Sequence, residues 1–314
     1  MAMTLTTTPA PRSKVTVVGA GNVGTLLAAE VARRGYADVL LMSGTPGLAA
    51  GRTLDIRQAG PILGRDLPLT AVESLEATSG SAVVVIATSA RYEPGQSRGD
   101  QFAANRTRVQ HVAQAIAATS PNAVIIVVTN PVEAMCAEAH ISSAFDRRRV
   151  LGMAGVLDTA RLQLFLSDAL GVGPEDVRTT VIGGHGDSSV ALLNQTTVKG
   201  IPIRSLLTAE EIMSLVRRAQ SAGKEITELL GTETPSFAPA MAAAVMVETI
   251  VLDQHRVLPL VVRLEGELGF TNFYAGVCGR LGRHGLEEIV DSTLTSDEAV
   301  VLGDLRSNQQ DLLA

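Results

Sequence analysis

The first half of the chain alternates short apolar runs with longer segments whose apolar residues recur at helical spacing. The apolar runs are rich in β-branched residues, which is the composition of strands buried on both faces. Helical spacing appears after the first run, over residues 47–58, and again from residue 102 onward. Strands that alternate with helices in this way predict an α/β fold with a doubly wound parallel sheet. The predicted strands are residues 15–18, 38–42, 81–87 and 123–129.

The pattern changes near residue 150, where helices are no longer interleaved with single buried strands. Turn residues separate two strand candidates late in the chain, which favours antiparallel pairing and a mixed α+β second half. The predicted strands here are residues 177–182, 257–264 and 274–279. The predicted helices are residues 154–170, 237–251 and 295–313, and residues 208–230 predict one long helix or two short ones with a break at Gly223.

A glycine-rich turn joins the first predicted strand to the first predicted helix, which Gly35 ends. Gly19, Gly21 and Gly24 have G-x-G-x-x-G spacing. In this context Gly19 makes the tight turn, Gly21 lets the backbone approach a pyrophosphate, and Gly24 lets the helix lie close to the strand. The helix N-terminus, with Asn22 and Val23, offers free N–H groups to the anion. A tight turn that binds no ligand is the alternative.

This motif, with the change near residue 150, predicts three segments. Residues 1–13, rich in Thr and Pro, are expected to be a disordered lead-in. Residues 14–150 are predicted to be a dinucleotide-binding domain, and residues 151–314 a substrate and catalytic domain.

Composition and charge exclude several other classes of protein. Of 314 residues, 46% are hydrophobic and 18% charged, so a sizeable core can form. The net charge of −6 argues against a nucleic-acid or anionic-membrane partner. Cys136 and Cys278 show no metal-binding spacing, and we expect no metal and two reduced, buried thiols. With neither a membrane-length apolar run nor a signal-peptide pattern, the chain is predicted to be cytoplasmic.

Four separate stretches carry residue types that suit hydride transfer to a carbonyl. His185 stands between glycines just after a predicted strand, where an imidazole can face a cleft, although a lone histidine is more often an ordinary loop residue. Asp158 and Arg161 share one helix face, which alone would indicate only an ion pair. Asn130 ends an apolar strand, where doubly wound sheets bind ligands. Arg98 ends the loop stretch PGQSR, for which an ordinary polar loop without a functional role is the alternative interpretation.

Taken together, these stretches resemble the lactate/malate dehydrogenase family over nearly the whole chain. The matching motifs, all in the family's order, are VGAGNVG, PGQSR, VVTNPV, LGMAGVLDTARL and IGGHGDSS. The segment Ala238-Pro239-Ala240 is similar to the malate branch more than to the lactate branch. The resemblance implies a Rossmann domain followed by a mixed α+β catalytic domain, a nicotinamide cofactor, and a homodimer or homotetramer.

The resemblance also implies a role for each matching residue. His185 is expected to exchange a proton with the substrate, and Asp158 to orient its ring. Arg161 is expected to hold the substrate carboxylate in a two-pronged ion pair, and Arg98 to polarise the carbonyl. Asn130 is expected to contact substrate and cofactor. The peptide bond between Asn130 and Pro131 is expected to be cis.

Two departures from the family concern specificity. Ser43 stands where NAD-specific members have an aspartate that binds the ribose hydroxyls, so NAD is expected but NADP is possible. In the substrate loop, Tyr92 and Glu93 replace the pair before Pro-Gly that is Arg-Lys in malate enzymes and usually Gln-Lys in lactate enzymes, and Arg91 precedes them. Pro235 replaces a small or hydroxyl residue.

The sequence therefore supports three hypotheses. The first is a nicotinamide-dependent 2-hydroxy-acid dehydrogenase acting on malate and oxaloacetate, with Arg91 or Tyr92 near the distal carboxylate. The second keeps the chemistry but uses lactate or a bulkier 2-hydroxy acid. The third is a dinucleotide-binding sensor without catalysis, against which the complete set of candidate catalytic residues argues.

Overall fold

The computed structural model describes residues 12–90, 98–231, 233–290 and 294–313. Its first half is a parallel sheet with helices on its faces. The strands are β1 (Ser13–Val18), β2 (Ala37–Met42), β3 (Leu69–Val72), β4 (Val83–Ile86), β5 (Val124–Val127) and β6 (Val150–Gly152). The helices are α1 (Asn22–Arg34), α2 (Leu48–Ile62), α3 (Arg98–Thr119) and α4 (Val132–Ser143). The strand order β3-β2-β1-β4-β5-β6 is that of a Rossmann fold, with every pair parallel.

The second half mixes long helices with antiparallel strands. Its helices are α5 (Gly155–Leu170), α6 (Ala209–Leu230), α7 (Phe237–Val251) and α8 (Ser296–Leu313). Its longer strands are β12 (Arg256–Glu265), β13 (Thr271–Gly282) and β14 (Gly285–Ile289). Its short strands are β7 (Val177–Arg178), β8 (Val181–Gly183), β9 (Ser189–Ala191), β10 (Thr197–Val198) and β11 (Ile201–Pro202).

The large sheet continues from the first half into the second. Beyond β6 it runs through β12, β13, β8 and β9, with β14 also on β13, and all of these pairs are antiparallel. A separate small sheet contains β11, β10 and β7. The parallel half ends where β12 approaches β6, with Val261 opposite Gly152.

The largest hydrophobic cluster also spans both halves. Helix α7 contributes Ala240, Ala243 and Ala244, which are fully buried and leave room for α1 to pack closely with its own Ala28 and Ala32. An ion pair at 2.6 Å joins Arg34 of α1 to Glu248 of α7 at the edge of this contact. The two halves therefore share one hydrophobic core.

The predicted fold class is confirmed, and several predicted elements match the structure closely. Helix α7 has the predicted bounds. Helix α6 is one continuous helix through Gly223, and its start is stabilised by a capping box between Thr208 and Glu211. Cys136 and Cys278 form no disulfide, although Cys278 is only half-buried. Within the described ranges, no helix is long and apolar enough to cross a membrane.

Other predictions were wrong or incomplete. The single strand predicted over residues 177–182 is two short strands, because β7 pairs with β10 while β8 joins the large sheet. Helix α4 and the strands β3, β6, β9, β10, β11 and β14 were not predicted. Of the predicted lead-in, residues 1–11 lie outside the described residues, and Ser13 already belongs to β1.

Candidate active site

A cavity of about 870 Å³ opens at the carboxyl ends of the parallel strands. Segments that follow β4 and β5 form one wall, and α1, α5 and α6 contribute to the others. The strand order reverses between β1 and β4, which is where open α/β sheets bind ligands. The lining residues used below are Val23, Asn105, Asn130, Glu133, Arg161, His185, Thr234 and Pro235.

The glycine turn after β1 leaves space for a ligand at the N-terminus of α1. Gly19 has φ +122°, and a Cβ there would lie 2.5 Å from the carbonyl oxygen of Ala87. A Cβ on Gly24 would collide with the carbonyl of Gly19, which explains the third glycine. Gly21 has open space around its Cβ position, and no side chain caps the helix that it begins. A helix N-terminus that has no side-chain cap, and no side chain in front of it, fits a pyrophosphate.

The other two predicted cofactor residues of this turn differ in position. Val23 lies on the cavity wall, whereas Asn22 is exposed at the first position of α1.

Three of the predicted catalytic and substrate residues form one connected cluster. The Nδ1 atom of His185 lies 2.9 Å from Oδ2 of Asp158, and Arg161 donates to Oδ1 of the same carboxylate at 3.1 Å. Asp158 is 3% exposed and fully paired. Helix α5, which carries both partners, is tied to the strand before His185 because Thr159 accepts the backbone N–H of Val181 at 2.9 Å.

The pKa of His185 is raised above its usual value. Burial by itself lowers this pKa, but the hydrogen bond and the negative charge of Asp158, together with the charge of Glu133, outweigh burial. Arg161 acts in the opposite direction. The net effect favours the imidazolium form near neutral pH, which is the form that can donate a proton.

The loop that carries His185 depends on its glycines. A Cβ on Gly184 would overlap the side chain of Ser188, and Gly186 has φ +70°, where other residues are strained. The backbone of Gly184 donates to the carbonyl of Ser188 at 3.1 Å and closes the turn. The imidazole is therefore held on a compact turn beside the cavity.

Asn130 lies on the cavity wall and follows β5, as predicted. The peptide bond between Asn130 and Pro131 is cis, which confirms that prediction. The carbonyl of Asn130 accepts a hydrogen bond from Asn105 at 2.9 Å, and Asn105 accepts the N–H of Ala90 at 2.6 Å. Asn105 thus links the segment after β4 to the segment after β5.

The substrate loop cannot be placed in the same way. Arg91 and Tyr92, with Glu93, lie outside the described residues. Arg98 is the first residue of α3, but its side chain also lies outside the described part. The predicted roles of these residues therefore stay predictions.

The two other specificity positions are described. Ser43 follows β2, and its hydroxyl accepts the backbone N–H of Thr45 at 3.1 Å. The side chain is therefore engaged within its own turn. Pro235 lines the cavity beside Thr234, at the entrance to α7.

Comparison with known families agrees with this architecture. A family model described as lactate/malate dehydrogenase, NAD binding domain, matches residues 13–152. A second, described as lactate/malate dehydrogenase, alpha/beta C-terminal domain, matches residues 155–308. The chain belongs to the lactate/malate dehydrogenase family.

Solved structures that resemble this chain come from both branches of the lactate/malate dehydrogenase family. A malate dehydrogenase of Thermomicrobium roseum is 45% identical over 93% of this chain and 94% of its own length. The malate dehydrogenase structure from Salinibacter ruber has a TM-score of 0.89 at 39% identity, covering 95% of this chain and 97% of that one. A Cryptosporidium parvum lactate dehydrogenase, solved with lactic acid and nicotinamide adenine dinucleotide, has a TM-score of 0.92 at 32% identity, covering 97% and 98%.

Sequence reasoning missed several residues of this dehydrogenase-family site. Glu133, Asn105 and Thr234 all line the cavity. Glu133 had a usable signal, because it is in the first turn of the helix that follows Asn130, at the ligand-binding edge of the sheet. Asn105 and Thr234 had no local signal, since each enters the site only through packing of distant segments.

One group of metal-ligating residue types lies on the surface between α7 and β14. The ligand atoms of Asp253, His255 and Glu287 lie within 4.8 Å of one another. Both carboxylates are already paired, Asp253 with Arg283 at 2.8 Å and Glu287 with Arg280 at 3.0 Å. The arrangement is accounted for as an exposed ion-pair network.

Proposed function

We propose that this chain is an oxidoreductase that interconverts a 2-hydroxy acid and its 2-keto acid with a nicotinamide cofactor, acting on malate and oxaloacetate. The observation that carries the proposal is the connected cluster of Asp158, His185 and Arg161 at a cavity that also reaches the glycine turn. An acid–base group, a cation for a carboxylate and an anion-binding helix N-terminus meet there. A binding protein without catalysis has no need of the first of these.

The chain's own residues can supply the proton and the orientation that the reaction needs. A bound nicotinamide cofactor supplies or takes up the hydride. His185 donates a proton to the carbonyl oxygen in reduction and removes it in oxidation, and Asp158 holds the ring and stabilises its charge. Arg161 binds the substrate carboxylate, because a guanidinium matches two oxygens at once. Arg98 stabilises negative charge on the reacting oxygen.

The choice of malate over other 2-hydroxy acids rests on relatives of the malate branch. Oxaloacetate has a second carboxylate, and burying it without a positive partner is costly. We assign that role to Arg91, with Tyr92 as the rival lining of a less charged pocket. If Arg91 acts in this way, Arg91→Ala lowers kcat/KM for oxaloacetate while leaving pyruvate unaffected. An equal effect on both acids would remove Arg91 from the role.

A panel of 2-keto acids tests the proposal directly. NADH and NADPH oxidation are followed with oxaloacetate, pyruvate and a bulky aliphatic 2-keto acid. Preference for oxaloacetate supports the malate assignment, and preference for pyruvate or the bulky acid supports the second hypothesis. Flat traces with every acid and both cofactors would support the non-catalytic sensor.

For the cofactor, we infer NAD with weak discrimination against NADP. Ser43 carries no charge to repel a 2′-phosphate, and its hydroxyl is already bonded to Thr45. No arginine follows immediately that would bind such a phosphate. The ratio of kcat/KM for NADH and NADPH measures this preference.

We further infer a homodimer or homotetramer in the cytoplasm, with residues 14–150 binding cofactor and residues 151–314 completing the substrate site. Helix α2 and the residue that follows it expose large apolar side chains, with Leu54 62%, Ile62 86% and Leu63 52% exposed. Such a patch is typical of an interface between copies. Light scattering should give two or four times the chain mass of 32.8 kDa, and a monomer mass would contradict the inference.

A further inference from the structure

A second, small cavity of about 10 Å³ lies beside Asp158, between α5, α6 and the β8–β9 pair. Three polar residues from three different elements line it: Asp158 of α5, Ser189 of β9 and Gln220 of α6. The other side chains of its wall are apolar, and two of them, Ala191 and Ala219, are too short to fill the space. That space admits the centre of about one water molecule.

The carboxylate of Asp158 can accept more hydrogen bonds than it receives from side chains. Arg161 donates to Oδ1 at 3.1 Å, and Nδ1 of His185 lies 2.9 Å from Oδ2. An ionised carboxylate has about four acceptor positions, and a buried charge is costly unless it is well hydrogen-bonded. Asp158 is 3% exposed, so bulk solvent does not fill the remaining positions. A donor in the small cavity would fill one of them.

The hydroxyl of Ser189 is a second group with unused hydrogen-bonding capacity at the small cavity. Only 6% of Ser189 is exposed, yet its hydroxyl makes no hydrogen bond within the part of the chain that the structure describes. Gln220 donates from its amide nitrogen to the carbonyl of Ser189 at 2.9 Å, and its amide oxygen has no donor among the described residues. The bond between Gln220 and Ser189 also ties α6 to β9, which keeps two walls of the small cavity in place.

We propose that the small cavity is a binding site for one ordered water molecule that donates to the carboxylate of Asp158 and accepts from the hydroxyl of Ser189. The second hydrogen of this water is directed to the amide oxygen of Gln220. Buried waters typically make about three hydrogen bonds, and the site offers three. As a third donor to Asp158, the water offsets part of the negative charge that acts on the imidazole of His185. The site itself is independent of the proposed function, whereas its effect on proton transfer rests on that function.

The charged groups around His185 make this effect measurable. Asp158 and Arg161 face the imidazole from α5, and Glu133 faces it from α4. The residues that α6 and β9 contribute to the small cavity are all uncharged. A substitution at Ser189 by another neutral residue therefore changes no charge, and a change in the titration of His185 reports on the hydrogen bonding of Asp158.

A high-resolution crystal structure of the wild-type chain tests the site directly. We expect a water peak about 2.5–3.2 Å from a carboxylate oxygen of Asp158 and from the hydroxyl of Ser189. In Ser189→Val, which replaces the hydroxyl by a methyl group and adds a second one, this peak should be lost. A wild-type cavity without a peak would overturn the proposal, since a dry cavity is one that behaves as apolar.

The effect on proton transfer is measured by comparing wild type with Ser189→Val. Without the water, more of the negative charge of Asp158 acts on the imidazolium. The pKa of His185 in an NMR titration, and the alkaline limb of kcat/KM for oxaloacetate reduction, should therefore both move to higher pH. The signal of His185 is identified among the five histidines by its loss in His185→Asn. An unchanged pKa and an unchanged limb would overturn this part of the proposal.

Ser167→Val is the matched control. Ser167 is another buried serine, 1% exposed, whose hydroxyl donates to the carbonyl of Leu164 within α5 at 2.8 Å, and it is not part of the wall of the small cavity. This variant should keep the water peak, the pKa of His185 and the alkaline limb. An equal shift in Ser167→Val would attribute the effect to core packing and overturn the role in proton transfer.

Two of the measurements do not depend on turnover. If no keto acid is reduced, the proposed function fails, while the crystal structure and the NMR titration still decide whether the water is bound and whether it acts on His185. Should Ser189→Val not fold, the wild-type structure still decides the site. Ser189→Ala, which removes the hydroxyl without adding bulk, then decides the effect by a weaker water peak and a shift in the same direction.

Discussion

Asp158→Asn is the substitution that tests the proposed proton transfer most directly. It preserves the shape of the side chain and removes its charge. Asp158 accepts from Arg161 and lies 2.9 Å from Nδ1 of His185 in a site where it is 3% exposed. The neutral amide can still contact both partners, so any loss is due to the charge and to the changed hydrogen bond.

The size of the effect follows from the strength of that contact. A hydrogen bond to a charged group is worth about 1.5–3 kcal/mol, so weakening it should lower the pKa of His185. Less imidazolium then remains at pH 7. We expect kcat/KM for oxaloacetate reduction at pH 7 to fall by about 10- to 100-fold, which is no more than the lower end of what general acid–base catalysis contributes, because the imidazole itself is still present.

The assay is the pH profile of kcat/KM, with NADH binding followed by fluorescence. The alkaline limb should move to lower pH, while NADH binding stays close to wild type, because the carboxylate of Asp158 is bonded to His185 and Arg161 and is not part of the glycine turn. Asp168→Asn is the control, since Asp168 is an exposed carboxylate on the same helix α5. A limb that does not move in Asp158→Asn would refute the role given to this carboxylate.

Three further substitutions test other parts of the molecule. His185→Asn should lower kcat by about 10²–10⁴-fold with NADH affinity nearly intact, and a variant with more than half the wild-type rate would exclude this residue as the proton donor. Ser43→Asp should shift the ratio of kcat/KM for NADH and NADPH toward NADH by about tenfold or more, because the new carboxylate repels a 2′-phosphate. An unchanged ratio would show that another residue sets the cofactor preference. The hydrogen bond from Arg147 at 2.8 Å lowers the pKa of Glu267 from 4.5 to about 2, against the effect of burial. Glu267→Gln should therefore lower the free energy of unfolding by about 1 kcal/mol at neutral pH. In urea titrations this difference should be full above pH 4.5 and vanish as the pH falls through about 2; a constant difference would contradict it.

The sequence alone was sufficient wherever local chemistry decides the structure. The strand–turn–helix around Gly19 and Gly24 was predicted because a positive φ and a close backbone approach exclude larger residues at those positions. Helix α7 was predicted to its end residues, because helix-forming and mostly apolar residues follow one another without a break between those ends. The pairing of Asp158 with Arg161 was predicted by helical spacing, and the family motifs identified His185 as their partner.

Only the tertiary structure decided which distant segments meet. The strand predicted over residues 177–182 divides between two sheets, because its two ends find different partners, β10 and β13. Helix α4 was overlooked, because a segment buried on most sides shows little amphipathic periodicity. The contact between Glu133 and the main chain of His185 has no sequence signal at all. It arises because packing of the whole core brings the turn after β8 next to the segment after β5, and that packing is not set by any local pattern.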